Sequence, residues 1–198
     1  TPRSSSAASD VYKRQDVNIS AASFEDNNSE DGINVIRSSV TLKDSIFKNI
    51  FSDAIDLDFS KGEISDIVLE NIGNDGIDVS GTEVKINNIT MKNISDKWLS
   101  AGENSNATID NIEISESYIG IASKDNSLII GNNVQINNAN YGIASYQKKP
   151  EYSGASIILE NLVLHSEEFL VERNSTIKIN NKNIKEKTEN IYKLLYGI

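Results

Sequence analysis

The stretch Ile64-Ser65-Asp66-Ile67-Val68-Leu69-Glu70-Asn71 returns further along the chain as Ile86-Asn87-Asn88-Ile89-Thr90-Met91-Lys92-Asn93. Both read apolar, polar, Asn or Asp, apolar, polar, apolar, polar, Asn. Further copies are Ile109-Asp110-Asn111-Ile112-Glu113-Ile114 and Leu159-Glu160-Asn161-Leu162-Val163-Leu164, and looser ones start at Ile19, Leu42, Ile130 and Ile179. Spacings between successive anchors run 23, 22, 22, 23, 21, 29 and 20. A second apolar column, Ile33, Ile55, Ile77, Leu99, Ile121 and Ile143, keeps a spacing of 22, with Leu170 following after 27. One cause accounts for both long spacings: residues 146–155, which begin Tyr146-Gln147-Lys148-Lys149-Pro150, read as an inserted loop.

Internal repeats with a period of about 22 residues signal a solenoid. Within each unit apolar and polar residues alternate with period 2 over three to five positions, which is the strand signal rather than the helix signal. A coil of this length has room for three short strands and three bends. Stacked coils would pair strand on strand at about 4.8 Å. The reading is an all-β, parallel β-helix over residues 16–182, of about seven to eight coils. Asparagine columns support it: Asp44, Asp66, Asn88, Asn111, Asn132, Asn161 and Asn181 form one, and Asn49, Asn71, Asn93, Glu116 and Asn138 another. Asn and Asp tolerate the left-handed backbone of tight bends, so these residues are read as structural. The Asn-X-Ser/Thr matches at Asn18, Asn88, Asn93, Asn106 and Asn174 are read as by-products of that composition.

Residues 1–15 fit no repeat and resemble a translated sequencing adapter, so they are expected to lie outside the fold, with the true N-terminus missing. Residues 183–198 also depart from the repeat. Ile184, Ile191, Leu194 and Leu195 fit a short amphipathic helix, expected to cover the last coil.

The formal charge is −10, and residues 1–15 carry Arg3, Lys13 and Arg14 against Asp10, so the remainder is more acidic still. An acidic surface disfavours nucleic acid. There is no cysteine, hence no disulfide or thiolate metal site. No apolar run approaches the roughly 20 residues needed to span a bilayer.

Chemistry concentrates in Asp53-Ala54-Ile55-Asp56-Leu57-Asp58 and Asp75-Gly76-Ile77-Asp78-Val79. With Ile55 and Leu57 inward, Asp56 and Asp58 point outward, Asp78 lies one coil above Asp56, and Asn34 one coil below. Asp53 and Asp75 stack at the preceding bend. Like charges this close destabilise unless something compensates. Three compensations are open. Calcium could bind Asp56, Asp58 and Asp78. A carboxylate could keep its proton as a general acid. Or the face is simply solvated, with Asp53 and Asp75 bonding bend amides. In the next coil Lys97 replaces the bend aspartates, Trp98 follows, and Glu103 lies just beyond. An exposed indole beside carboxylates would make a sugar-binding groove; the alternative is that Trp98 packs on the neighbouring bend. Lys124, Lys148 and Lys149 could extend a basic rim. Apart from Arg173, Arg37 is the one arginine beyond residue 15, and it lies near this patch. His165, the one histidine, is far along the solenoid.

These repeats resemble the right-handed parallel β-helices of the pectin-lyase-like superfamily. The runs Ser52-Asp53-Ala54-Ile55-Asp56-Leu57-Asp58-Phe59, Gly73-Asn74-Asp75-Gly76-Ile77-Asp78-Val79-Ser80, Gly120-Ile121-Ala122-Ser123-Lys124-Asp125 and Tyr146-Gln147-Lys148-Lys149-Pro150-Glu151-Tyr152 are similar to a bacterial β-helix module of large, often surface-associated proteins. The resemblance implies an extracellular or cell-surface module of a longer polypeptide, with polysaccharide or a cell-surface glycan as partner. Lyases of uronic polymers in the superfamily use Lys or Arg as base and calcium to neutralise the substrate, roles that would fall to Arg37 or Lys97 beside Asp56 and Asp78. The histidine and paired-Asp motifs of polygalacturonases are not matched. On this reading the candidate catalytic residues are Arg37, Asp56, Asp78 and Lys97. The candidate ligand contacts are Asp53, Asp58, Asp75, Trp98 and Glu103.

Overall fold

The computed structural model describes residues 16–165, 168–185 and 188–197. Residues 1–15, expected to stand apart from the fold, lie outside these. The chain winds as a parallel β-helix with three faces. On the first face Asp16–Ser20 pairs with residues 39–43, and the ladder continues through residues 61–65, 83–87, 106–110, 128–132 and 156–160 to Thr176–Ile179, every step parallel. The second face starts at Ser23–Asn27 and the third at Asp31–Ile36.

Strands pass round two of the bends without breaking. Glu83–Gly102 is one continuous strand that turns at Asn88 and Asn93, where φ is +54° and +59°. A single left-handed residue redirects the chain and leaves the ladder intact on both sides. Asn tolerates that conformation, and its side chain adds a bond along the axis. Asn93 Nδ2 donates to Asn71 Oδ1, Asn71 to Asn49 and Asn49 to Asp26, at 2.9, 2.9 and 2.8 Å. The first asparagine column runs through Asn133 (φ +52°), which donates to Asn111, rather than through Asn132. Its upper end differs as well. Asn180 and Asn181, with φ of +47° and +63°, form a two-residue turn of the hairpin type, so Asn181 belongs to that turn and not to the column.

Inside, apolar columns fill the bore. Leu42, Ile64, Ile86, Ile109 and Leu159 stack on the first face, and Ile55, Ile77, Leu99, Ile121 and Ile143 on the third, all essentially inaccessible to solvent. Two expected members fall elsewhere. Gly131, not Ile130, pairs with Ile109, and Ile130 points outward at 45 % exposure. A Cβ at Gly131 would lie 2.4 Å from Ile109 and 2.7 Å from Leu159, so these two large neighbours take up the room a side chain would need. Leu170 likewise pairs with Ala144 and faces outward, while Phe169 pairs with Ile143 and carries on the inner column.

The loop expected at residues 146–155 starts one residue later, because Tyr146 still belongs to the strand Leu128–Tyr146 and is buried. Asp125 pins it by accepting from the backbone N–H of Lys148 and Lys149 at 2.6 and 2.7 Å.

The C-terminal region differs from expectation. Lys182–Ile184 folds back antiparallel on Thr176–Ile179 and ends the parallel stack, so Ile184 is in a strand. The helix α1 (Ile191–Tyr196) is capped by Asn190 and by left-handed Gly197. It lies on the outer flank of the third face, with Ile191 and Leu195 against Ile119, Ala122, Ala144, Tyr146 and Leu170. Its apolar side thus covers an apolar side wall rather than the open end.

Candidate binding face

The outer surface of the third sheet carries three side-chain columns along the axis. Asp31, Asp53, Asp75, Lys97, Ile119 and Tyr141 form the first. Asn34, Asp56, Asp78, Ser100, Ala122 and Ala144 form the second. Asp58, Ser80, Gly102, Lys124 and Tyr146 lead into the bend as the third. The character changes along the axis, from carboxylates through two lysines to an apolar stretch roofed by α1.

Asp56 and Asp78 stand on neighbouring rungs, as the repeat spacing requires. Asn34 Nδ2 donates to Asp56 Oδ2 at 2.6 Å and to Asp31 Oδ2 at 3.2 Å. Asp56, Asp58 and Asp78 are partly exposed between fully buried Ile55, Leu57, Ile77 and Val79. Burial, then the charges of Asp58, Asp78, Asp31 and Asp53, raise the Asp56 pKa to about 7. Asp58 is raised too, by burial first and then by Asp78, Glu103 and Asp31, with Lys149 opposing. Desolvation also raises Asp53, which accepts bonds from the Asp75 backbone N–H and Asn74.

The candidate residues thus separate by role. Asp53 and Asp75 bond bend amides. Asp53 Oδ1 accepts from Asp75 N at 2.8 Å, and Asp75 Oδ1 from Lys97 N at 3.0 Å. Asp75 is buried, so it cannot be the ligand contact expected of it. Lys97 is buried as well, paired with Asp75 at 3.2 Å and with Asp96. Burial opposes its charge, but Asp75 and Asp96 outweigh that and hold its pKa above the ordinary lysine value. Such a group is not a base at neutral pH, and the catalytic reading of Lys97 fails.

Trp98 is a larger correction. Its side chain belongs to the hydrophobic core and exposes no surface. It lies beneath Gly76, whose would-be Cβ is 3.6 Å from Trp98 Cδ1. Ala54, Gly76 and Gly120 hold the same position on other rungs, and these small residues leave the interior volume that the indole fills. No exposed indole platform exists at this position.

Lys124 is no solvated rim either. It is buried, donates to Ser100 Oγ at 2.6 Å and lies 4.0 Å from Asp78. Lys149 pairs with Glu103, which keeps partial exposure. Arg37 occupies the third bend with φ +52° and its guanidinium 5.7 Å from the Phe59 ring. His165 bonds Asn137 on the second face, away from the patch. Among the described residues no group of three or more His, Cys, Asp or Glu side chains is drawn together to hold a metal ion. A cation at Asp56, Asp58 and Asp78 would therefore need oxygen ligands from elsewhere.

Among known families, the model of the right-handed beta-helix region matches residues 31–184. The chain belongs to the right-handed β-helix family. No curated protein and no solved structure matches it. Membership fixes the winding and leaves activity open, since function resides in sites grafted on a fold. Among the described residues no helix is long and apolar enough to cross a membrane.

The repeat reading of this right-handed β-helix missed three features. A hydroxyl ladder lines the third bend: the N–H groups of Ser38, Ser60, Thr82 and Ser105 donate to the hydroxyls of Ser60, Thr82, Ser105 and Ser127 at 3.0–3.1 Å. Its regular spacing, one hydroxyl per coil, was available in the sequence. Tyr196 on α1 reaches Tyr146 Oη at 3.2 Å and lies 5.3 Å from Lys148 Nζ. No local signal marks that contact, because it joins residues 50 positions apart. Phe51 and Phe59, which flank the Asp53–Asp58 strand, are exposed at 70 % and 52 %.

Proposed function

We propose that this domain is a non-catalytic module of a larger bacterial extracellular or cell-surface protein, holding polysaccharide on the acidic outer face of the third sheet. The observation that carries this reading is the Asp56, Asp58 and Asp78 cluster. The core beneath is complete without these side chains, and their crowding opposes the fold. Residues kept against stability in this way are candidates for a site. Carboxylates accept hydrogen bonds from sugar hydroxyls, and a partly desolvated carboxylate gains most from a new donor. Calcium suits the same oxygen-rich floor, with the glycan completing its shell.

Engagement of the two lysines on this face favours binding over turnover. Lys97 is tied to Asp75 and Lys124 is buried on Ser100. One observation favours a second reading, a lyase or epimerase of acidic glycans. With a pKa of about 7, Asp56 is poised to exchange a proton near neutrality.

The test is affinity electrophoresis against a panel of neutral and acidic polysaccharides, with and without calcium. Wild type should be retarded by at least one polymer, and Asp56→Asn/Asp58→Asn should run free. Unsaturated product absorbance in the same mixtures would favour the lyase. Binding to nothing, with no calcium-induced rise in melting temperature, would leave a structural spacer.

A further inference from the structure

We infer that the outer surface of the first sheet is a dimerisation face, taking a second copy of this chain laid side by side with the two solenoid axes parallel. This inference concerns the first sheet alone and is independent of the glycan-binding reading. Two outward side-chain columns run up that surface, two residues apart on every strand. Lys61, Glu83, Asn106 and Leu128 stand in one, and Glu63, Lys85, Thr108, Ile130 and Ile158 in the other. Charge alternates both along and across the columns, with Lys61 on Glu83 at 2.8 Å and Lys85 on Glu63 at 3.6 Å. Further up, the surface turns apolar: Ile130 is 45 % exposed, with Leu128 and Ile158 half-buried beside it.

A two-fold axis running between the columns, along the solenoid, sets each column over the other column of the second copy. Lys61 then faces Glu63, Glu83 faces Lys85 and Leu128 faces Ile130, each on its own rung. No rung brings like charges together, from Asp16 opposite Asn18 to Thr176 opposite Lys178. The ion pairs within each copy stay made; the pattern ensures that a copy is not repelled and fixes its register. Association comes from covering the apolar rungs. A two-fold axis across the solenoid would also match Lys61 with Glu83, but it would lay Leu128 over Asp16. The other two sheets are not self-complementary. The same exchange on the second would set Lys48 over Ile46 and Glu70 over Val68, and on the third Asp56 over Asp58. Eight parallel strands carry the face, which at about 4.8 Å per strand and about 15 Å of width offers roughly 500 Å² on each copy. About 1,000 Å² in total is the lower end for a specific interface, which suits a reversible dimer rather than an obligate one.

Sedimentation equilibrium of the chain over a wide range of concentrations tests this. Wild type should pass reversibly from monomer to dimer as concentration rises. Ile130→Asp should weaken the dimer roughly tenfold or more, without lowering the melting temperature, because the side chain is exposed. Glu63→Lys and Lys61→Glu should each weaken it as well. An equimolar mixture of those two variants should regain it, because every lysine at these positions then meets a glutamate of the other variant. Wild type that stays monomeric throughout, or a dimer that Ile130→Asp leaves intact, overturns the inference. A mixture that associates no better than its components overturns the parallel arrangement.

Discussion

Lys97 Nζ lies 3.2 Å from Asp75 Oδ1, with both side chains shut away from solvent on the outside of the third sheet. This pair joins the acidic rungs to the apolar ones, and Tyr196 of α1 approaches it, its ring centroid 6.0 Å from Lys97 Nζ. Removing one partner leaves the other buried and unpaired. Lys97→Met should therefore cost about 3–5 kcal/mol in urea unfolding. Lys97→Met/Asp75→Asn should recover part of that loss, and a double variant as unstable as the single would show the pair is not coupled.

Stability should respond to pH in an unusual direction. Asp56 has a folded-state pKa of about 7 against 3.8 unfolded, and Asp53 and Asp58 are raised as well. A raised folded pKa contributes stability that is complete below the unfolded value and lost as pH climbs through the folded one. The melting temperature should thus fall as pH rises from about 4 to about 7.5, between the unfolded and folded values. Asp56→Asn should flatten that fall and melt roughly 2–4 °C above wild type at pH 8.5, a modest effect because solvent screens partly exposed charges. Wild type more stable at pH 8.5 than at pH 6 would show that these carboxylates do not crowd.

Trp98 is the one tryptophan, so its fluorescence reports burial without interference. Emission should be blue-shifted and insensitive to acrylamide, and saturating glycan should not move it. Trp98→Ala should cost about 3–5 kcal/mol. Ready quenching would place the indole at the surface.

Gly131 is tolerated only because Ile109 and Leu159 close over it. Gly131→Ala should destabilise by about 1–3 kcal/mol through overpacking, readable as an earlier urea midpoint. Ile130→Ala, on an exposed side chain, should change stability by no more than about 0.5 kcal/mol.

Much of this architecture could be read before any coordinates. Ile55 and Ile77 stack because one repeat of the sequence makes one turn, and the same period set Asp56 under Asp78. The period failed where two apolar residues adjoin. Ile129-Ile130 offered two registers, and only the packing of Ile109 against Leu159 selects the one with glycine inside. Phe169-Leu170 offered the same choice, which the rung below and α1 decide together. Trp98 was misplaced because residue size does not tell which side of a bend a side chain takes. Its burial depends on the small residues at Gly76 and Gly120, one rung away on either side. At the binding face, the carboxylate positions followed from spacing, whereas the fate of Lys97 and Lys124 followed from burial by neighbouring segments, which periodicity does not encode.

The carbon-13 titration of the Asp56 carboxyl, by NMR, bears most directly on the claim that crowded carboxylates on adjacent rungs form a glycan-binding face. The account predicts a midpoint near 7 in the free domain, displaced when a polysaccharide that retards the domain is added. A midpoint near that of an isolated aspartate, unmoved by such a polysaccharide, would contradict it.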